Sequence, residues 1–181
     1  MGDELAAMAS LEAIREKLIA AQTSFCRAAD AIPAEVWERQ PRPQEWSAGE
    51  LVGHLVVVER GIIGRADGIT QKTPRPIPFR NRLHLPLWFV EARVVRRKSP
   101  VLQDPSLMGP KEAMLGALRG ARERTFAFLA ETEKRDLSVY CWQHPFLGML
   151  NTYEWMEMIA AHQNRHTKQM KEIEKKLSRK L

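Results

Sequence analysis

The sequence predicts an all-α protein whose fold is a four-helix bundle. Four long segments carry apolar residues at three- and four-residue steps, which is the pattern of an amphipathic helix. No segment shows a convincing strand pattern. The chain has 181 residues, of which 44% are hydrophobic, so there is enough apolar material for one core. We therefore expect residues 1–181 to form a single domain.

The first two helices are separated by a proline-containing connection. The first is predicted over residues 5–32, before Pro33, on an apolar stripe made of Leu11, Ile14, Leu18, Ala21 and Phe25. The second begins after Ser47, because Glu50 stands three residues later in the capping-box spacing. We expect this second helix to end between residues 64 and 69.

Residues 70–109 are predicted to form a long irregular insertion between helices 2 and 3. Pro74, Pro76 and Pro78 alternate there, which excludes regular helix and favours extended backbone. A short helix over residues 87–98, which carries several basic residues, is compatible with the pattern. The segment departs from a minimal bundle, and a lid, a partner surface and a mobile connection are all compatible with it.

The last two helices flank a second loop. The third is predicted from Pro110, which suits the first turn of a helix, to about residue 132. After a loop over residues 135–150, the fourth begins behind Asn151, with Glu154 in a second capping box, and continues to the C-terminus.

The sequence favours a cytoplasmic protein, and its charge favours a solvated helix face over the alternative of nucleic-acid association through the basic tail. The net charge is +6, but the basic tail over residues 168–180 is interleaved with Glu172 and Glu174, as in a solvated helix face. No nucleic-acid-binding motif accompanies it. No apolar run reaches the roughly 20 residues of a membrane span, and no signal peptide is recognised at the start.

Histidine spacing is the most informative feature of the chain. His162 and His166 stand four residues apart on the inward face of the fourth helix, where their side chains are neighbours. His54 lies on the apolar side of the second helix. Two buried imidazoles leave donors and acceptors to satisfy, and a shared cation satisfies both acceptors. The cysteines, Cys26 and Cys141, form no C-x-x-C pattern, so a metal here must use histidine or carboxylate.

Several familiar metal motifs are excluded. His162 and His166 have the spacing of H-E-x-x-H, but Gln163 replaces its glutamate and cannot act as a general base. No Glu-x-x-His pair is present, which excludes the di-iron bundle pattern. A three-histidine mononuclear site with positions left open remains, and imidazole ligands suit Zn²⁺ or Ni²⁺, with Fe as a further option.

Three further residues are candidates for catalytic or supporting roles. Glu50 lies one turn before His54, and Gln169 lies one turn after His166, so either could orient a histidine by a hydrogen bond to a ring nitrogen. Glu50 could also act in the helix cap alone. His144 could line the pocket or only fix its loop. We expect His84, in the irregular insertion, to be exposed.

Taken in order, these residues resemble the DinB-like (DinB/YfiT) superfamily of metalloenzymes, and the DinB_2 branch in particular. The resemblance covers most of the chain outside residues 70–109. It rests on Trp46-Ser47 with Glu50 and His54-Leu55, on His144-Pro145-Phe146-Leu147-Gly148 with Glu154-Trp155, and on His162-x-x-x-His166 with Gln169.

The resemblance implies a four-helix bundle with long crossovers, a homodimer, and metal ligands at His54, His162 and His166. Relatives include S-transferases that use bacillithiol or mycothiol, a mycothiol-dependent isomerase and the metal domain of ergothioneine-forming sulfoxide synthases. The implied function is a metal-dependent transferase acting with a low-molecular-weight thiol on a small-molecule substrate, or a related hydrolase. The alternative is a non-catalytic dimerising or ligand-binding bundle with a vestigial metal site.

Overall fold

Four helices dominate the part of the chain that the structure, a computed structural model, describes. It describes residues 2–74, 86, 90 and 109–178, with only the backbone for residues 2–9. The helices are α1 (Gly2–Asp30), α2 (Ala48–Thr70), α3 (Lys111–Glu131) and α4 (Thr152–Ser178). Short 3-10 turns occupy Ala34–Val36 and Leu137–Val139.

The helices form a bundle in which α1 packs mainly on α4 and α2 mainly on α3, with α4 also contacting α2. The all-α bundle prediction is confirmed. Buried apolar side chains form two clusters at different levels of the bundle. One contains Leu18 and Trp155, and the other contains Phe25 and Met170.

A buried polar layer lies between these two apolar clusters. The guanidinium of Arg122, which is 1% exposed, donates from Nε to Glu59 Oε1 at 2.7 Å and from Nη2 to Glu59 Oε2 at 3.2 Å. It also donates to Gln163 Oε1 at 2.8 Å and to the backbone oxygen of Leu18, while Thr125 Oγ1 donates to Glu59. This one group therefore joins all four helices.

Helix α2 begins as the capping-box spacing predicts. Ser47 Oγ accepts from the backbone N–H of Glu50 at 3.1 Å, and the Glu50 carboxylate accepts from the Ser47 N–H at 2.6 Å. The helix ends later than predicted, because it continues through Gly64 and Gly68 to Thr70. Burial of its apolar face in the core outweighs the weak helix propensity of those glycines.

The loop over residues 135–150 contains a β-hairpin, so the prediction of no strand was wrong there. Strand β1 (Cys141–His144) pairs antiparallel with β2 (Gly148–Asn151), and Trp142 lies opposite Leu150. Each strand has four residues, too few to give a clear alternation. Gly148, at a φ of 104°, supplies backbone geometry that other residues rarely adopt.

The predicted insertion over residues 70–109 lies largely outside the described residues, and so does His84. Within it, the Val90 side chain packs against the cluster that contains Leu18, and its backbone oxygen accepts from Arg165 Nη1 at 3.2 Å. Among the described residues, no helix is both long and apolar enough to span a bilayer.

Replacing Ser47 by Ala tests the start of α2. The side chain is fully buried, and its loss removes the acceptor for the Glu50 N–H, so we expect a loss of about 1 kcal/mol in the free energy of unfolding. Urea denaturation measures it. The control is Ser178→Ala at the exposed end of α4, which we expect to stay within about 0.5 kcal/mol of the unmodified protein. Equal stabilities for the two variants would contradict the prediction.

Candidate metal centre

Three histidines from two helices converge at one point between α2 and α4. His162 Nε2 lies 3.3 Å from His54 Nε2 and 3.0 Å from His166 Nε2. One nitrogen from each ring lies within 4.8 Å of the others. His54 and His166 are 5% and 6% exposed, and His162 is partly buried. The tertiary structure therefore joins the helical pair on α4 to the single histidine on α2.

The spacing of these nitrogens fits a divalent metal ion. Ligand nitrogens about 2.0–2.1 Å from a metal lie roughly 2.8–3.4 Å from one another, at the short end in octahedral geometry and at the long end in tetrahedral geometry. Both Nε2 separations fall in that range. Three imidazoles are also a donor set that transition metals favour. The third pair of ligand nitrogens lies within 4.8 Å, so the three rings are close enough together to be candidate ligands of one ion.

Gln169 sets the tautomer of His166. Its Oε1 lies 3.0 Å from His166 Nδ1, and a carbonyl oxygen only accepts, so Nδ1 carries the proton. The Nε2 lone pair of the neutral ring then faces His162. An orienting contact of this kind is typical around metal-binding histidines. Gln169 thus makes the type of contact that its position in the sequence suggests.

Burial keeps the other two rings neutral. Desolvation lowers the pKa of His54 to about 4. Desolvation also lowers the pKa of His162 well below its ordinary value, and the electrostatic effect of neighbouring His166, His54 and Arg165 lowers this pKa further. A metal needs the neutral form of each ring, so the folded chain presents these two ligands already deprotonated.

The His54 ring is supported less completely than that of His166. No hydrogen-bond partner for its buried Nδ1 exists among the described residues. Glu50, one turn earlier, makes its hydrogen bonds to Ser47 and Gln40 in that part of the chain and makes none to His54. Glu50 therefore acts in the helix cap, and a catalytic role for it stays a prediction.

Trp46 forms an aromatic wall beside two of the histidines. Its ring lies 4.9 Å from the His54 ring and stacks nearly parallel to His166, at 6.3 Å between centroids. An ion pair between Glu45 and Lys176, at 2.7 Å, ties the preceding residue to α4. In the sequence, Trp46 draws attention only through the family resemblance, because a single tryptophan before a helix has no periodicity.

His144 fixes the turn of the hairpin. Its Nδ1 accepts from the backbone N–H groups of Phe146 and Leu147, both at 3.1 Å, and its ring lies 5.1 Å from that of Trp155. Burial lowers its pKa to about 4. The neutral ring therefore carries its proton on Nε2 and is a donor there, so it cannot accept a proton from a substrate at that atom.

Comparison with known proteins identifies the family to which the chain belongs. The family model described as the DinB superfamily, DinB_2, matches residues 17–170, which is most of the chain. The chain belongs to the DinB superfamily. An uncharacterized protein, YuaE of Bacillus subtilis (strain 168), is 27% identical over 148 residues, which cover 80% of this chain and 87% of YuaE. No solved structure gives a significant match.

Membership of the DinB superfamily confirms the resemblance seen in the sequence. The matched residues include His54, His162 and His166, together with the hairpin that carries His144. In this DinB-family chain, the histidines of the motif lie around one site, and His144 lies in the loop that leads into α4.

Titration of His144 provides a pH-dependent test of the hairpin. Its pKa falls from 6.5 to about 4 on folding, so the unfolded chain binds its proton first as the pH is lowered. The contribution of the neutral His144 ring to the free energy of unfolding is complete above pH 6.5 and is lost as the pH falls towards 4. It amounts to roughly 2–3 kcal/mol, with allowance for partial exposure.

We expect His144→Gln to be less stable than the unmodified protein at pH 7.5 and to converge with it near pH 4. Urea denaturation at a series of pH values measures the difference. Glu50→Gln, which keeps a carbonyl oxygen for the cap, is a control that leaves the histidine titrations in place. A stability difference independent of pH would show that His144 does not act through its neutral ring.

Proposed function

We propose that His54, His162 and His166 bind one divalent transition metal and that the protein is a metal-dependent enzyme. The observation that carries the proposal is the convergence of three Nε2 atoms with separations of 3.0 and 3.3 Å in a largely buried site. Zn²⁺ or Ni²⁺ is the metal we favour, with Fe as a further option, because all three ligands are imidazoles. Three protein ligands leave coordination positions for other molecules.

The donor set supports a thiol as the nucleophile. A bound metal acts as a Lewis acid that lowers the pKa of a coordinated water or thiol. Among the described residues, no aspartate or glutamate joins the three histidines as a ligand, and Gln163 occupies the place of the usual general base. A free thiol has a pKa of about 8.5, whereas that of water is about 15.7, so a thiol requires far less assistance from a base.

We therefore propose transfer of a low-molecular-weight thiol to a small electrophilic substrate, with hydrolysis as a related reaction. The residues of this chain contribute a largely buried cluster, in which burial lowers the pKa of His54 and of His162, and an aromatic wall at Trp46. His144, whose neutral ring carries its proton on Nε2, lies on the hairpin that leads into α4 and is a candidate hydrogen-bond donor to the substrate. The homodimer expected from the resemblance stays a prediction.

One observation favours a second candidate, a ligand-binding bundle with a vestigial metal site. Metal-bound histidines almost always donate their second ring N–H to a neighbour, and His54 Nδ1 has no such partner among the described residues. A weakly oriented ligand would bind metal less tightly. This candidate predicts metal-dependent stability without turnover.

Metal content tests the ligand set. Protein purified without a nickel column and dialysed against Zn²⁺ or Ni²⁺ is expected to retain about one equivalent, as measured by inductively coupled plasma mass spectrometry. His54→Ala and His166→Ala should each retain less than about a tenth of an equivalent after the same dialysis, because two imidazoles remain.

The matched control is His144→Gln, which removes a histidine outside the cluster and should leave the metal content unchanged. Metal content below about a tenth of an equivalent in the unmodified protein would overturn the metal site. Equal content in His54→Ala and the unmodified protein would remove His54 from the ligand set.

Thiol consumption tests the reaction class. With bacillithiol, glutathione or cysteine and an electrophile such as monochlorobimane or an epoxide, we expect consumption above the uncatalysed rate by the metal-loaded protein only. Chelation should abolish the excess rate, and added metal should restore it. Equal rates with and without metal, across all pairs, would favour the vestigial site.

A further inference from the structure

A single guanidinium connects the two helices that supply the histidines. Arg122 Nη2 donates to Glu59 Oε2 on α2 at 3.2 Å and to Gln163 Oε1 on α4 at 2.8 Å. Arg122 itself lies on α3, and its Nη1 donates to the backbone oxygen of Leu18 on α1. The group is buried, so water does not compete for these contacts.

Both partners of that nitrogen are close in sequence to the candidate ligands. Glu59 lies a little more than one turn after His54 on α2, and Gln163 directly follows His162 on α4. The path from His54 to His162 through Glu59, Arg122 and Gln163 therefore consists of two short helical segments and two hydrogen-bonded contacts.

A metal site requires a more precise separation of its helices than apolar packing alone provides. Metal–nitrogen distances vary by only about 0.2 Å, whereas apolar contacts between helices are non-directional. A guanidinium is planar and presents its donors in a rigid fork, so it fixes both the distance and the direction between its acceptors. The Arg122 contacts are thus suited to set the separation of α2 and α4.

We propose that Arg122 is a positioning residue for the metal centre. Through Glu59 and Gln163 it holds α2 and α4 at the separation that brings His54 to His162 and His166. This inference rests on the proposed metal site. It also assigns a role to Gln163, which in the sequence is notable only as the residue that replaces a catalytic glutamate.

The test compares two variants that each remove one buried hydrogen bond from the same network. Gln163→Met removes the acceptor on α4 and so breaks the link between the ligand helices. Thr125→Val removes the hydroxyl that donates to Glu59 Oε1 at 2.7 Å but leaves every Arg122 contact in place. Both side chains are buried, so a general loss of stability should appear in both variants.

We expect Gln163→Met to weaken Zn²⁺ binding by about tenfold or more, and Thr125→Val to change it by less than about threefold. Competition with a chromogenic chelator gives the dissociation constants. The visible absorption of the Co²⁺-loaded proteins reports coordination geometry directly. Its bands should shift in Gln163→Met and stay unchanged in Thr125→Val, which a purely stabilising role would not produce.

A third variant, Arg122→Lys, separates geometry from charge. Lysine keeps the positive charge beside Glu59 but is a point charge on a flexible stem and lacks the rigid fork. We expect its Zn²⁺ affinity and Co²⁺ spectrum to resemble those of Gln163→Met. If Arg122→Lys fails to fold, the comparison between Gln163→Met and Thr125→Val still decides the question.

Equal affinities and identical Co²⁺ spectra for Gln163→Met and Thr125→Val would overturn the positioning role while leaving the metal site intact. Failure of the unmodified protein to bind Zn²⁺ or Co²⁺ would overturn the proposed function and, with it, this inference. The two failures are therefore distinguishable in one set of titrations.

Discussion

The buried ion pair between Arg122 and Glu59 is the interaction on which the arrangement of the bundle depends. The hydrophobic effect that drives the apolar contacts above and below it has no preferred direction. The ion pair is directional, and breaking it leaves an uncompensated buried charge, which costs roughly 3–5 kcal/mol. The ion pair has Leu18, Thr125 and Gln163 as further hydrogen-bond partners. Together these contacts connect all four helices at one level of the bundle.

The histidine cluster lies close to the level of the ion pair in the bundle. It differs from the ion pair in that two of its side chains, those of His54 and His162, are not paired with groups of opposite charge among the described residues. In the ion pair, Arg122 Nε lies 2.7 Å from Glu59 Oε1, so each charged group has a partner at hydrogen-bonding distance. His54 and His162 have no carboxylate partner in the described part of the chain, so desolvation removes their protons instead. Burial therefore favours the neutral form of His54 and His162, which is the form that a metal ion requires.

Features that depend on local chain geometry were predictable from the sequence. The cap formed by Ser47 and Glu50, and the pairing of His162 with His166, follow from spacings of three and four residues on a helix. The strands around His144 were missed because they are short. Arg122 and Glu59 were missed because a charged residue on an amphipathic helix ordinarily faces water, and only a partner on another helix makes its burial favourable.

The sequence by itself determined the all-α class, the starts of α2 and α4 and the identity of the three histidines as a group. The tertiary structure decided that His54 reaches the pair on α4, that Glu50 serves the helix cap while Gln169 contacts a ring nitrogen, and that Gln163 belongs to the buried ion-pair network. The physical reason is the distance along the chain over which each kind of contact acts. Helical periodicity and caps act over a few residues, whereas the separation of two helices depends on directional contacts between residues distant in the chain.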